Sequence, residues 1–477
     1  MSVTDRIAGT LLGLAAGDAL GAGYEFQSAP LGPDGEAEMI GGGLGGFAPG
    51  EWTDDTSMAV CIAEVTATGG EVDLDAIGER FLDWYRQGPK DVGVSTSAVL
   101  RQAQRGAELR AAADAYFDRH PKGAAGNGSL MRTAPVALAT LDQPLDATAG
   151  LARQVSHLTH GDPLAADACV LWCVAIRTAV DEQRFDGLAE GLPLVPPERR
   201  DRWATWIEEA RTKPPATFAP NGFVVPALQA AYAAIVQTPA PDDGPGCLHL
   251  QDALHKAVRI GHDTDTVAAI AGSLLGARWG GSAIPFGWRR MLHGWPGYRA
   301  GDLMRLAVLT ATDGRGDGIG WPGVERVPPQ AGRRAAELPG EDWLVLGSLA
   351  DLEHLDDTHP DVDDVVSLCR VGTNQMPAEA DHHQLYLVDQ SGDGHGGPNP
   401  NLPFVLADTA DALATLRDEG RRVFLHCAAG ASRTPTVAAA YLVRHRGLDP
   451  DQAIDRVGEV APWSWANPDF RDALGAL

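Results

Sequence analysis

Two stretches of this 477-residue chain gather hard oxygen donors at close spacing, EWTDDTSMAV at 51–60 and GHDTDTVAAIAG at 261–272. Each sets two aspartates among threonines at the start of an apolar, helix-like run. Asp54, Asp55, Asp263 and Asp265, with the hydroxyls of Thr53 and Thr266, make an all-oxygen ligand set that suits Mg2+, Mn2+ or Ca2+ and excludes soft metals. Two readings stay open for each stretch taken alone. One is helix capping, with Thr53 or Thr264 as N-cap and first-turn carboxylates complementing the helix dipole at about 0.3–1 kcal/mol apiece. The other is a metal centre. It requires the two stretches to meet in space, because four adjacent carboxylates repel one another unless divalent cations lie among them. Two such ions would hold a bridging water, lower its pKa and orient a sugar diol for hydrolysis at an anomeric carbon.

A second chemistry is written at 421–442, RRVFLHCAAGASRTPTVAAAYL, which reads as a short apolar strand, a small-residue loop and an Ala/Val-rich helix. Cys427 and Arg433 stand in a C-x5-R relation that none of the other five cysteines shares. Loop N–H groups converging at a helix N-terminus bind a tetrahedral oxyanion, and the same positive field favours a thiolate. The planar fork of Arg433 would hold two phosphoryl oxygens, and Ser432 would donate a hydrogen bond to the sulfur when a phosphocysteine is hydrolysed. Such chemistry needs an acid for the leaving oxygen. Asp389, ending the strand-like HQLYLVD, is the first candidate and Asp393, in the loop SGDGHGGPNPN, the second. Without a working acid the segment would only bind phosphate.

The elements that must position these groups change character along the chain. Residues 6 to about 300 are Ala- and Leu-rich with apolar spacings of three and four, which predicts helices. In the first of them Ile7, Leu11 and Leu14 share one side, and Gly9, Gly13 and Gly17 recur every fourth residue. Glycine costs about 1 kcal/mol per helical position relative to alanine, so three in register predict another backbone packed close against them. Residues 312–340, rich in Gly, Pro and Arg, read as a linker. Beyond it, short aliphatic runs (DWLVLGSL, DDVVSLC, HQLYLVD and RRVFLHC) alternate with helix-like stretches, which predicts an α/β domain with a mainly parallel sheet. The expected organisation is therefore an all-α unit over 1–311, the linker, and an α/β unit over 341–477.

Composition narrows the function. The chain is 44% hydrophobic and 21% charged, as in globular enzymes. Its 38 Lys and Arg stand against 64 Asp and Glu, and the resulting charge of −26 disfavours extended nucleic-acid binding while leaving room for a local basic pocket. Six irregularly spaced cysteines make neither a disulfide framework nor a zinc site. The N-terminal MSVTDRIAGT lacks the pattern of a secretory signal, and the apolar stretch between Lys213 and Asp242 falls short of a membrane span. The expectation is a cytoplasmic protein without membrane contact.

Five motifs, in order, carry a resemblance: GDALGAGYE (17–25), EWTDDTSM, GNGSLMRTAPVAL (126–138), SHLTHGD (156–162) and GHDTDTVAAIAG. Together they resemble the ADP-ribosylglycohydrolase family, which includes the activating glycohydrolase of dinitrogenase reductase and the eukaryotic ADP-ribosyl-acceptor hydrolases. The resemblance implies an all-α fold around two Mg2+ ions, with Mn2+ as a substitute. The implied reaction removes ADP-ribose from a modified protein side chain or small molecule. It also implies Thr53, Asp54, Asp55, Asp263, Asp265 and Thr266 as ligands, with Asp55 and Asp265 central to catalysis, and Glu25 as a glutamate beside the metals. Gly128 and Ser129 would belong to an ADP-ribose loop, and His160 would lie near the distal ribose. His262 stands where the family often has glycine. HCAAGASRTPT is similar to the signature of the dual-specificity cysteine phosphatases, a likeness covering about 340–477, which implies a phosphorylated substrate at Cys427. Two alternatives remain at this level: a C-terminal module that only reads phosphate, and a phosphatase for a phosphorylated ADP-ribose derivative.

Overall fold

The computed structural model describes residues 2–318, 320–323, 327, 333–372, 375, 377, 379–385, 387, 399–464 and 467–477. From Val3 to Ala311 the chain is mainly helical, with one long irregular stretch over residues 28–53, shorter connections, and a two-stranded ribbon pairing His293–Gly294 with Tyr298–Arg299. The bundle is organised around one intimate helix pair, Val3–Gly21 against Thr264–Trp279. They run antiparallel in four-residue steps: Gly9 meets Gly276, Gly13 meets Gly272, Gly17 meets Ala268, and Gly21 meets Asp265. At Gly13 and Gly17 a Cβ would overlap the carbonyls of Gly272 and Ala268, so only hydrogen fits between the two backbones. The predicted glycine-faced contact is therefore present, and it extends one turn further, to Gly21. Ile7, Leu11 and Leu14 are buried with nearly all the rest of that helix.

The Pro163–Glu182 helix is long and apolar enough to cross a bilayer, but it lies inside the bundle with Ala165 and Asp167–Val180 buried, so its apolarity serves the core.

The C-terminal part holds a five-stranded sheet in the order Ala336–Leu338, Glu341–Ser348, Val423–Cys427, Asp364–Ser367, Asp381–Gln384. Only the first pair is antiparallel, and the other three pairings are parallel. Strand Val423–Cys427 is central and wholly buried, as its unbroken apolar run requires. Helices Leu402–Asp418 and Arg433–Arg446 pack beside it. Residues 336–338, within the stretch read as a linker, are thus an edge of this sheet. Two residues of that stretch are also tied down: Trp321 is buried, and Asp317 pairs with Arg370 at 2.8 Å.

The two parts dock through the far end of the glycine-faced pair. Asp5 accepts hydrogen bonds from the N–H and hydroxyl of Ser282 (2.9 and 2.6 Å), and Asn401 donates to that hydroxyl at 2.8 Å and to the Trp279 carbonyl at 2.6 Å. Asp408 accepts from the Phe286 N–H at 2.9 Å and faces the buried Arg289 at 3.9 Å, while Arg290 grips both oxygens of Glu419.

Gly17→Ala is expected to cost at least about 1–3 kcal/mol, read as a lower urea midpoint, because the added methyl must push two backbones apart. An unchanged midpoint would show that the seam is not tight.

Candidate active sites

The glycine-faced pair decides where the acidic residues go. With Gly21 seated against Asp265, the end of the first helix, with Asp18 and Glu25, lies over the start of the second. Thr53 caps the Asp54–Thr66 helix, as the capping reading expects, its hydroxyl lying 3.4 Å from the Asp55 N–H. Capping is not all it does. The Thr53 hydroxyl also donates to Asp55 Oδ2 at 3.0 Å, and the Thr266 hydroxyl reaches the same oxygen at 3.4 Å. The two distant stretches therefore meet, and the cap and cluster readings hold together. Oxygens of Asp18, Asp55 and Asp265 lie within 4.8 Å of one another, as do those of Glu25, Asp263 and Asp265.

This crowding is electrostatically costly. Burial, reinforced by Asp91, Asp18 and Asp263, pushes Asp54 up to about 8. Burial with Asp18, Asp54 and Asp263 drives Asp55 well above the usual carboxylate range, and burial with Glu25 and Asp55 does the same to Asp265. Burial raises Asp263 as well, against a hydrogen bond of 2.7 Å from Asn127. Glu25 is pushed to about 8 by burial and by Asp263, Asp91 and Asp54. Glu25 Oε2 and Asp55 Oδ1 are buried with no hydrogen-bond partner among the described residues. Unpartnered carboxylate oxygens inside an all-oxygen cluster fit divalent hard cations and little else.

Several residues of this site were not singled out in the sequence. Asp18 accepts from the N–H groups of Thr53 and Thr56 and from the Thr56 hydroxyl at 2.6 Å, fixing the start of the Asp54–Thr66 helix; its carboxyl is raised to about 6 by burial. It lies inside GDALGAGYE, and its signal was a carboxylate in an otherwise apolar helix. Asn127 holds Asp263, while Asn221 receives the Asp263 N–H at 3.0 Å. Asp91 comes from a Gly/Pro-rich turn that carries no motif.

The cluster opens on a cleft of about 950 Å3 walled by Glu25, Asp54, Asp91, Asp263, Asp265, the 92–96 and 126–128 turns and His160. Gly128 lines it. Ser129 does not: its hydroxyl bonds Ser156 at 3.0 Å and accepts from the Cys169 thiol, inside the core. The turn presents Gly126, Asn127 and Gly128, and Ser129 faces the opposite way. His160 is held at Nδ1 by the Thr159 hydroxyl (2.7 Å), which in turn accepts from the buried Arg132. Burial, with Arg132 nearby, lowers His160 to about 3, so it faces the cleft as a neutral imidazole. Phe26, Leu44, Val94 and Phe223, all large and solvent-exposed, also line this cleft. Across Asp54 and Asp91 lies a second hollow of about 590 Å3, walled by Phe47, Trp52, Trp84, Trp295 and Glu51, the last neutralised by Lys90 at 2.6 Å.

His262 adopts a left-handed backbone (φ +64°), and its carbonyl accepts from the Phe26 N–H at 2.7 Å. A preference for glycine at this position is the direct consequence of that φ.

In the C-terminal part Cys427 ends the central strand, Gly430 turns the loop at φ +62°, and the Arg433–Arg446 helix begins at once. Burial opposes ionisation of Cys427, but Arg433, the Thr434 hydroxyl and the N–H groups of Thr434 and Gly430 outweigh it and hold the thiol below its ordinary range. Arg433 is fixed by the carbonyls of Leu368 and Leu387 at 3.3 and 3.4 Å. Ser432, expected on the sulfur, has a buried hydroxyl with no partner among the described residues; Thr434 contacts the sulfur instead. Ser367 links His426 and His382 (2.6 and 2.7 Å), both kept neutral by burial, at about 3. Asp389 and Asp393 lie outside the described residues.

Residues 1–318 match the family model described as ADP-ribosylglycohydrolase, and residues 387–476 that described as dual specificity phosphatase, catalytic domain. Fold and site thus define a helical glycohydrolase joined to a cysteine-phosphatase-type α/β domain. The chain belongs to the ADP-ribosylglycohydrolase family. It is 32% identical over 289 residues to the ADP-ribosylarginine hydrolase Tri1 of Pseudomonas putida (strain GB-1), covering 60% of this chain and 73% of that protein. It is 30% identical over 297 residues to the ADP-ribosyl-[dinitrogen reductase] glycohydrolase of Rhodospirillum rubrum, covering 60% and 90%. A solved structure titled ADP-ribosylglycohydrolase-related protein complex aligns with a TM-score of 0.50 and 30% identity over 66% of this chain and 99% of that one.

Two outcomes are expected. His262→Gly should stabilise the fold by about 1 kcal/mol, read as a raised melting temperature. Cys427 should alkylate with iodoacetamide at pH values below the ordinary thiol range, and Arg433→Ala should move that pH profile upward.

Proposed function

We propose that the helical part is a divalent-metal-dependent hydrolase that removes ADP-ribose from arginine, and that the C-terminal part is a phosphatase working through a phosphocysteine on Cys427. The observation that carries the first reading is the meeting of Asp55 and Thr266 within a cluster of buried, partly unpartnered carboxylates on the floor of a cleft. Thr53, Asp54, Asp55, Asp263, Asp265 and Thr266 would hold two ions, Mg2+ with Mn2+ as substitute, which when bound supply a water of lowered pKa and Lewis acidity toward the ribose hydroxyls.

The chain's own residues do the rest. The N–H groups of Val94, Ser95 and Thr96, which open the Val94–Leu100 helix at the cleft, suit a diphosphate, and the aromatic faces of Phe26 and Phe223 suit a purine. Neutral His160 offers a hydrogen bond to a ribose hydroxyl without adding charge. Asp18 orients Thr53 and the first turn that bears Asp54 and Asp55, and Asn127 orients Asp263. Glu25 is placed to hold or move a proton at Oε2. The aromatic hollow beyond Asp54 and Asp91, with its carboxylates, suits a planar cation, and so favours a guanidinium acceptor over a hydroxyl. The activity named in the 32% identical Pseudomonas relative agrees with that choice.

In the phosphatase reading, Cys427 Sγ attacks phosphorus, the P–O bond to the leaving alcohol breaks, and Asp389 or Asp393 protonates the departing oxygen. Water then cleaves the S–P bond and releases phosphate. The sulfur-bound donors, Thr434 and the Gly430 N–H, stabilise the thiolate both as nucleophile and as leaving group. The domains meet at the end of the glycine-faced pair opposite the acidic cluster, about 24 Å away along the helix from Asp5 to Gly21. The two reactions therefore occupy separate clefts.

ADP-ribosylarginine and ADP-ribosylserine peptides assayed with Mg2+ and with EDTA test the glycohydrolase reading. Cleavage of the arginine linkage is expected, lost with EDTA and lowered at least about a hundredfold in Asp55→Ala. Preference for the serine linkage would overturn the acceptor assignment. Turnover of p-nitrophenyl phosphate should vanish in Cys427→Ser; its survival would reject the phosphocysteine.

A further inference from the structure

Behind the wall of the acidic cleft lies a buried cation that metal binding and phosphate binding leave unexplained. Arg132 is wholly buried and forms no ion pair among the described residues. Its guanidinium lies over the Phe81 ring at 4.4 Å, one amino group meets the Met58 sulfur at 3.3 Å, and the other donates to the Thr159 hydroxyl oxygen at 2.6 Å. Burial lowers its pKa to about 10, which leaves it charged at neutral pH. A charge held in the core without a counter-ion costs free energy that an apolar side chain of similar length would not. Packing alone therefore does not account for an arginine here, and its one oxygen partner, Thr159, leads directly to His160.

The protons in this chain can be placed one by one. A guanidinium only donates, so the Thr159 oxygen accepts from Arg132. The hydroxyl proton of Thr159 is then left for the other atom in reach, His160 Nδ1 at 2.7 Å. Were Nδ1–H to donate to Thr159 instead, that hydroxyl proton would be buried with no acceptor among the described residues. Nδ1 therefore accepts, and a neutral ring must carry its proton on Nε2. This is the edge the cleft can use. His160 lines the cleft, and its Nε2 has no hydrogen-bond partner among the described residues. Gly126 and Gly128 leave it uncovered, since a Cβ on either would lie 3.4 Å from Nε2. We propose that Arg132 and Thr159 are positioning residues that lock His160 as an Nε2–H donor, so that this point of the cleft takes a ligand oxygen with a lone pair to offer and turns away a hydrogen-bond donor. In the glycohydrolase reading, on which the identity of that oxygen rests, it belongs to a ribose hydroxyl.

The test reads the tautomer directly, by two-bond proton–nitrogen correlation spectra of the full-length chain labelled with nitrogen-15 histidine at neutral pH. The His160 signals are assigned by their loss in His160→Gln. Wild type should show a protonated Nε2 and a bare Nδ1. Thr159→Val, which keeps the side-chain shape and removes the hydroxyl, should bring in the Nδ1-protonated form. Arg132→Met, which leaves the hydroxyl free to turn either way, should give a mixture of the two. With Mg2+ and the ADP-ribosylarginine peptide, Thr159→Val should raise KM about tenfold while kcat stays within about twofold. Thr159→Ser, which restores the hydroxyl, should return both the tautomer and KM to the wild-type pattern, an outcome that a purely structural role for Thr159 does not require. A protonated Nδ1 in wild type, or a lone Nε2–H form persisting in both Thr159→Val and Arg132→Met, overturns the lock. If wild type cleaves neither the arginine-linked nor the serine-linked peptide, the glycohydrolase reading fails, and the spectra decide the lock by themselves.

Discussion

Repulsion among buried carboxylates is the constraint around which the helical domain is organised. Asp18, Glu25, Asp54, Asp55, Asp263 and Asp265 are gathered into one region, and each is shifted upward by burial and, for most of them, by its acidic neighbours. An arrangement like this does not stabilise a fold by itself. It is tolerable where hydroxyls, amides and backbone N–H groups offset part of the charge and hard cations offset the rest. The threonines on either side of the aspartates serve the first need, and the unpartnered oxygens of Glu25 and Asp55 mark where the second arises.

Holding such a cluster together takes a scaffold that cannot drift, and the glycine-faced helix pair provides it. Its four-residue register places backbone against backbone with no side chain between, so sliding by one residue would drive a Cβ into a carbonyl. One end of the pair carries the acidic cluster. The other end carries Asp5 and Ser282, through which Asn401 ties on the second domain. A single close-packed element thus fixes both the first active site and the seat of the second domain.

The phosphatase domain uses a different device, the abrupt change from a buried central strand to a helix. The loop between them turns its N–H groups toward one point, and the sulfur at the strand's end lies in their field with Arg433 beside it. The buried Ser367 hydroxyl, shared by His426 and His382, steadies the strand just before the thiol. The two candidate sites are thus built in opposite senses from oriented polar groups, one around negative charge and the other around positive.

Sequence alone established the two-part architecture and singled out the two acidic stretches and the Cys427 loop as candidate sites, because these depend on local periodicity and on motifs whose residues lie near one another along the chain. Glycines at every fourth position announced a close helix contact, although nothing local named its partner. The tertiary structure decided what local pattern cannot carry. It turned Ser129 into the core and Asn127 toward Asp263, since facing in a tight turn depends on what packs behind it. It brought Asp91 to the cleft from a loop without a motif, and put Thr434 rather than Ser432 on the sulfur. It also made residues 336–338 a strand, because they pair back as a hairpin on 341–346, whose place is fixed by the rest of the sheet, in a Gly- and Pro-rich stretch that propensity reads as loop. Residue type and spacing determine which chemistry is possible, whereas the direction each group faces is set by what the fold packs around it, much of it from distant parts of the chain.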